Sequence, residues 1–367
     1  QQTWAKQTLA HNTVVVDRTS QSPMNVPGMI IWAEAPAGDT ARLDYFYAGE
    51  QMQIARASYK TGGAVLDRTV VLFGGALIDV FRARADRPRL FDYVLHVNGA
   101  YTAGSLGLAQ YPKELGRDFG YQHLEAVTAA KREPGSAWRT EWRTPGGHGL
   151  HIAALGSGRL AATAMAPANP PDTRLPVLLL RDRGKDVRFI TAVVPYPDPV
   201  APGGVLAAGG LNVQYIEDTD APAPVGILLR NGQSEYALAV SDGGALYDMN
   251  GWLRTDARAA ATRLSGPHTG PQHVFVDVSR INTGGPGLRA ADPLRSLALT
   301  AEPGAFTRLD IYTDAPNTLK MGDEMIFGIT ADCVQPGLRV NGAARPLPET
   351  LDLDLEPGEN SVEFTCR

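Results

Sequence analysis

Short runs of alternating apolar and polar residues fill this chain almost from end to end, cut by glycine, proline, asparagine and aspartate. Alternation with a period of two puts successive side chains on opposite faces of a strand. Many such runs joined by short turns restrict the chain to stacked antiparallel sheets. The runs begin with Val14–Val16, Met29–Trp32, Leu43–Tyr47 and Met52–Ala57. Thr69–Phe73, Gly74-Gly75 and Ala76–Arg84 then read as a hairpin, two β-rich runs around a tight glycine turn. Alternation continues in Phe91–Val97. Further strand pairs are expected at Trp138–Arg143 with His148–Ala153, and at Val177–Arg181 with Val187–Val194.

Helical patterning is scarce. Asp256–Leu264 has the composition for two helical turns, and Tyr111–Phe119 for a short turn or loop. The glycine-rich stretch from Tyr101 to Tyr121 lacks strand alternation and reads as a long loop, of the kind that borders ligand sites on β scaffolds. Asn282–Gly287 reads as a domain boundary. The expectation is an all-β protein: a large antiparallel β-sandwich of stacked sheets over residues 1–285, and a small β-sandwich-like domain over 290–367. No fixed-period repeat and no low-complexity tract interrupts it.

The 367 residues carry a net charge of −5, with scattered arginines. No basic surface for tracking phosphates stands out, so nucleic acid is not an expected partner. No run of about 18 apolar residues is present, so no membrane span is expected. No signal peptide opens the chain, and Gln1-Gln2-Thr3-Trp4 reads as a break inside a folded protein. The two cysteines, Cys333 and Cys366, are spaced for one disulfide closing a loop of roughly 30 residues, worth about 3–4 kcal/mol in the chain-entropy model. The alternative is two buried thiols. A disulfide implies an oxidising compartment, hence a periplasmic or secreted protein.

Seven histidines offer candidate chemistry: His11, His96, His123, His148, His151, His268 and His273. His148 and His151, three apart on a strand, point to opposite faces and cannot share a metal without a bulge. His96 reads as a hydrogen-bonded core or edge histidine within an alternating strand. His123 follows the glycine-rich loop and either lines a cleft or is structural. Arg139 and Arg143, beside Trp138 and Trp142, offer a site for an acidic sugar, or a solvated strand face. No nucleophile elbow, phosphate loop, metalloprotease helix or paired glycosidase carboxylates appears. The residues alone compose no self-sufficient catalytic set.

The segment Trp4-Ala5-Lys6-Gln7-Thr8-Leu9-Ala10-His11-Asn12-Thr13-Val14-Val15-Val16-Asp17, with Gln21 closing the turn, resembles the heparinase II/III-like polysaccharide lyases. It is most similar to the alginate and oligoalginate lyases of polysaccharide lyase families 17 and 15. Ala76–Arg82 followed by Asp92–Gly99, then Gly120–Leu124 and Phe189–Tyr196, agree with later family segments. The likeness covers residues 3–200 well and 200–280 loosely. It implies an N-terminal (α/α) toroid packed on a β domain, with β-elimination performed mainly by toroid residues. It implies that His11 ligates a metal, zinc or another divalent ion, rather than lining the cleft or sitting in the core. Asn12 then either caps a turn or supports that ligand. Tyr111, Tyr121 and His123 are the candidates for substrate contact. The implied partners are an acidic polysaccharide and the toroid portion of the same protein, absent here, so the chain alone is expected to be inactive. Two other readings are a non-catalytic carbohydrate-binding β module and a lyase acting on glycosaminoglycan.

Overall fold

A computed structural model describes residues 2–21, 40–49, 52–170, 172–196, 211–217, 225–231, 234–241, 247–248, 254–265, 273–282, 288–301, 306–321, 336–346 and 351–366. Regular structure there is nearly all strand. Helix is confined to short turns at Gln2–Ala5, Thr8–Ala10 and Tyr121–His123. Contacts divide the chain into two units, Gln1–Phe46 with Gln53–Val213, and Tyr47–Met52 with Gln214–Arg367.

In chain order, the strands of the first sheet are β1 (Thr13–Val16), β2 (Thr40–Ala48), β3 (Met52–Thr61), β4 (Ala64–Phe73), β5 (Ala76–His96), β6 (Ala100–Gly104), β7 (Ala109–Gln110), β8 (Glu125–Lys131), β9 (Trp138–Arg143), β10 (Gly149–Gly156), β11 (Leu160–Pro167) and β12 (Arg174–Tyr196). Two of them organise the rest. β5 has 21 residues and β12 has 23. They pair antiparallel from Val177↔His96 to Val193↔Leu77, with a register shift between Gly184 and Asp186. On its other edge β5 pairs first with β4, then with β1, and β12 pairs first with β11, then with β10. One band therefore runs β2-β3-β4-β5-β12-β10-β9-β6, and a second runs β1-β5-β12-β11-β8-β7.

The two bands face each other across one core. Tyr93 on the second band stacks on Phe189 of the first at 5.7 Å and meets Phe81 edge-on at 6.3 Å. The same cluster draws Trp138, Trp142 and Ile152 from one band and Val14, Ala161 and Leu178 from the other. This is the expected sandwich, closed by two strands that bend from layer to layer. The bend in β5 falls at the exposed Asp86-Arg87-Pro88, where proline donates no ladder hydrogen bond. Across it, Arg82 Nε donates to Asp186 at 3.0 Å.

The expected hairpin at Gly74-Gly75 is present, with φ of 60° and 75° suited to a type I′ turn. Trp138–Arg143 pairs with Gly149–Ala154 as expected. The second expected pair is corrected: Val177–Arg181 and Val187–Val194 are two halves of β12, because both halves pair with β5 instead of with each other.

In the second unit the strands compose a sheet of fourteen among the described residues. Asp256–Leu264 is not helical; the strand Ala259–Ser265 occupies it, paired on both edges with Ser234–Val240 and His273–Asn282. Ala259, Ala260 and Ala261 are fully buried there, and burial between two strands outweighs alanine's helix preference. The strands on either side of the expected boundary, His273–Asn282 and Leu288–Ala301, pair with each other. Phe275 and Val278 also share a core with Leu309, Leu338 and Phe364. The Asn282–Gly287 stretch thus connects neighbouring strands of one unit, and the contacts separate at Val213 instead. Met29–Trp32 and Cys333, and with it the proposed Cys333–Cys366 pairing, lie outside the described residues.

Replacing Phe189 by alanine is expected to cost about 3–5 kcal/mol, because its ring is fully buried between the layers. Leu43→Ala, at a side chain 65% exposed on β2, is expected to change stability by less than about 0.5 kcal/mol. Urea unfolding of both variants measures the difference.

Candidate functional site

The second band has its own apolar cluster on the face turned away from the sandwich core. Val15, Val94, Ala162, Val177 and Leu179 lie beneath Trp4 and Leu9 of the N-terminal segment and beneath Leu115 and Tyr121 of the 105–124 loop. β1 serves both cores, with Val14 facing inward and Val15 outward. The N-terminal segment is stapled before it enters β1. Thr8 N donates to Ser20 Oγ at 3.1 Å, and Gln21 N donates to Thr8 Oγ1 at 2.7 Å. Gly120 lets the loop close onto it. Its φ is 101°, and a Cβ there would lie 3.3 Å from the Trp4 ring and from Gln7 Cβ.

This docking brings His11 and Asn12 to the end of β5. Asn12 Oδ1 accepts the backbone N–H of His96 at 2.7 Å and lies 3.1 Å from His96 Nδ1. A carboxamide oxygen cannot donate, so Nδ1 carries the hydrogen and Nε2 keeps its lone pair. That Nε2 is buried with no hydrogen-bond partner. The His96 ring meets Trp4 edge-on at 6.1 Å. Burial, followed by the nearby His11, lowers the His96 pKa to about 4, so it is neutral at physiological pH. Asn12 is held from its other side by Arg68, whose Nη1 donates to the Asn12 carbonyl at 2.9 Å. Arg68 also grips Asp79 at 3.0 and 2.8 Å, and Asp79 accepts the Tyr93 hydroxyl at 2.9 Å.

His11 is exposed, not packed in the core. Its Nε2 lies 3.0 Å from the Ala5 carbonyl and donates to it, which leaves Nδ1 as the nitrogen with a lone pair. Among the described residues, no group of three or more His, Cys, Asp or Glu is placed to hold a metal ion. His11 therefore does not find a complete ligand set among them.

The loop residues divide. Tyr121 is buried, and its hydroxyl donates a short hydrogen bond to Asp92. Asp92 also takes both arms of Arg181 at 2.6 Å each, and Arg181 Nη2 reaches the Leu115 carbonyl at 2.8 Å. Burial first, and then the Asp92 charge, hold the Tyr121 pKa well above the usual phenol range. Its hydroxyl is committed to the protein, so only the ring remains for substrate. Tyr111 is half-buried and lines a cavity of about 610 Å³ with Lys113, Leu115, Arg117, Gln122 and the Tyr121 ring. His123 is not among the lining residues. It meets Trp4 edge-on at 6.2 Å, with its Nε2 buried and unpartnered.

Thus Tyr111 and Tyr121 share one cavity, while Trp4 meets both His96 and His123 edge-on. Sequence reasoning passed over Trp4, Asp92 and Arg181 as site residues, and read His96 as a hydrogen-bonded core or edge histidine. The Asn12–His96 contact depends on the pairing Thr13↔Val94, for which the sequence carries no signal. Trp138 and Trp142 are fully buried in the sandwich core, which leaves Arg139 and Arg143 on the other face of β9 without them. His148 is exposed and lies just before β10, whereas His151 is buried within that strand.

No family model matches the chain. Over 209 residues it is 31% identical to an alginate lyase of Stenotrophomonas maltophilia (strain K279a), a match covering 53% of this chain and 27% of that protein. The chain resembles the alginate lyases. A second relative is an exo-oligoalginate lyase of Saccharophagus degradans, 30% identical over 135 residues, 33% of this chain and 17% of that protein. Each match thus spans less than a third of the relative's length. Among solved structures, a heparan sulfate lyase of Pedobacter heparinus aligns over 61% of this chain and 29% of its own, at 12% identity and a TM-score of 0.36.

Two predictions follow from the histidines of this alginate-lyase-like chain. Asn12→Ala is expected to release His96 from the single Nδ1–H tautomer, read as a shift of its ring-nitrogen NMR signals. His151 has neither ring nitrogen hydrogen-bonded, and burial lowers its pKa to about 4, below the ordinary value of 6.5. The unfolded chain then binds a proton that the folded chain refuses. Stability is full above pH 6.5 and falls as pH drops toward 4, by up to about 3 kcal/mol from this residue. His151→Leu is expected to flatten that slope in denaturation measured from pH 7 to 4.

Proposed function

We propose that this chain is the β-sheet part of a polysaccharide lyase that cleaves alginate, or another uronate-containing polysaccharide, by β-elimination. The observation that carries the reading is sequence identity of 30–31% to an alginate lyase and an exo-oligoalginate lyase. The concave face beside the 105–124 loop is compatible with it. There Lys113, and Arg117 paired with Glu114 at 3.1 Å, provide cations for uronate carboxylates, and Tyr111 with the Tyr121 ring provides apolar surface for a sugar ring.

β-Elimination needs the C6 carboxylate neutralised, a base for the C5 proton and an acid for the leaving O4. In this reading those groups come mainly from an (α/α) toroid portion of the same protein, and the residues here supply the wall of the cleft. His96 holds its ring with the Nδ1 hydrogen on Asn12, and His123 packs against the same Trp4. A zinc or other divalent ion at His11 belongs to the proposal only as a composite centre, with donors from outside the described residues. Extracellular or periplasmic placement belongs to it as well, since the substrate is a polymer outside the cell.

The test has two arms. The 367-residue chain incubated with alginate is expected to give no rise in absorbance near 235 nm, and the chain joined to its toroid portion is expected to give one. Turnover by the chain alone would place the proton-transfer groups here after all. Absence of turnover on alginate and on glycosaminoglycan by the joined protein would favour a carbohydrate-binding module instead. Metal analysis of the joined protein is expected to find about one ion per chain, lost in His11→Ala.

A further inference from the structure

A second concavity opens at one end of the sandwich, between the two layers, and nothing above uses it. It measures about 770 Å³, within the range of roughly 300–1,000 Å³ common for small-ligand sites. Asn98, Tyr101, Thr128, Thr163, Met165 and Arg174 line it. It lies across β8 from the Tyr111 cavity. Val127 and Ala129 belong to the outer apolar cluster, whereas Thr128 pairs with Thr163 on the inner side.

Its walls are built rather than left over. Tyr101 is fixed edge-on against the buried Trp142 at 5.3 Å. Its hydroxyl lies over Gly104, where a Cβ would come within 2.0 Å of it. Thr128 and Thr163 share one hydrogen bond at 2.8 Å, which leaves one hydroxyl hydrogen and further lone pairs for a ligand. The ladder between β8 and β11 shifts register between Thr163 and Met165, and Ala126 takes a left-handed φ of 49°. Such bulges re-aim side chains and concentrate beside functional sites. This one lies beside Glu125, whose Oε1 accepts Arg174 Nη2 at 2.9 Å. Glu125 is an exposed carboxylate, and the Arg174 that holds it also reaches the Thr173 carbonyl at 3.3 Å. Glu125 marks where Arg174 presents an N–H to a carboxylate at the edge of the cleft.

We propose that this end cleft is a second saccharide site, which binds one or two residues of a carboxylate-bearing sugar chain. The proposal rests on the uronate reading above. The sugar's C–H face lies against Tyr101 and Met165, its hydroxyls meet Thr128, Thr163 and Asn98, and its carboxylate exchanges with Glu125 for Arg174. A planar guanidinium suits that exchange, because its N–H groups donate equally well to either carboxylate. Arg143 adds a second cation to the lining, which is otherwise largely apolar, so neutral sugars lacking the carboxylate bind more weakly.

Isothermal titration of the 367-residue chain with an alginate trisaccharide tests this, with maltotriose as the neutral control. The expected result for the wild type is binding of the acidic trisaccharide and at least about tenfold weaker binding of maltotriose, the scale of one charge-assisted hydrogen bond. Arg174→Gln is expected to weaken the acidic trisaccharide at this site by about tenfold and to leave maltotriose unchanged. Ala100→Trp fills the cleft from its exposed rim without removing a contact, and is expected to abolish this binding event while Tyr111→Ala leaves it in place. Thermal melts of each variant confirm folding. If the wild type binds and both cleft variants bind identically to it, the second site is wrong and the lyase reading stands. If the wild type binds no trisaccharide, the second site is also wrong, and the lyase reading is judged separately by the absorbance assay on the joined protein.

Discussion

The pairing of β5 with β12 is the constraint on which the first unit depends. Sixteen paired positions run from Val177↔His96 to Val193↔Leu77. Because both strands are long enough to pass from one layer to the other, they fix the separation and the register of both layers at once. A slip of β5 by one residue against β12 would turn Tyr93 and Phe81 out of the inner core together. It would also turn Val94 off the outer face, where the N-terminal segment and the loop dock. The site therefore inherits its geometry from this ladder.

Buried charge supports that geometry in two places. Asp79 with Arg68 and Asp92 with Arg181 each pair one carboxylate with both arms of one guanidinium. Each also reaches a tyrosine hydroxyl and a backbone carbonyl of a site segment: Tyr93 and Asn12 for the first, Tyr121 and Leu115 for the second. Pairs of this kind contribute modest net stability, because desolvation offsets most of their attraction. Their effect here is on position. One holds the segment that orients His96, and the other holds the loop that carries Tyr111.

The alginate-lyase likeness and the geometry bear on different questions. The likeness points to a class of polymer. The geometry points to a neutral, tautomer-fixed imidazole at His96, a cation-bearing loop cavity and a second concavity at the open end of the sandwich. His11, the residue the family resemblance singled out, turns out exposed and hydrogen-bonded to Ala5, next to His96. A role for it in metal binding would draw on donors outside the described residues.

The glycine-rich Tyr101–Tyr121 stretch, expected as one long loop, instead carries strand residues at Ala100–Gly104 and Ala109–Gln110, because these pair with β9 and β8. Period-two alternation and glycine turns were enough to establish the all-β class, the Gly74-Gly75 hairpin and the Trp138–Arg143 pair. These are local properties, decided by side-chain alternation and backbone freedom within a few residues. Three things were decided only by tertiary structure. Val177–Val194 became one strand because β5 pairs with all of it. Ala259–Ala261 became strand because it is buried between two neighbours. Asn12 met His96, 84 positions away, because β1 docks on the end of β5. Contacts between distant segments depend on register and burial, and neither quantity is written in the spacing of residues along the chain.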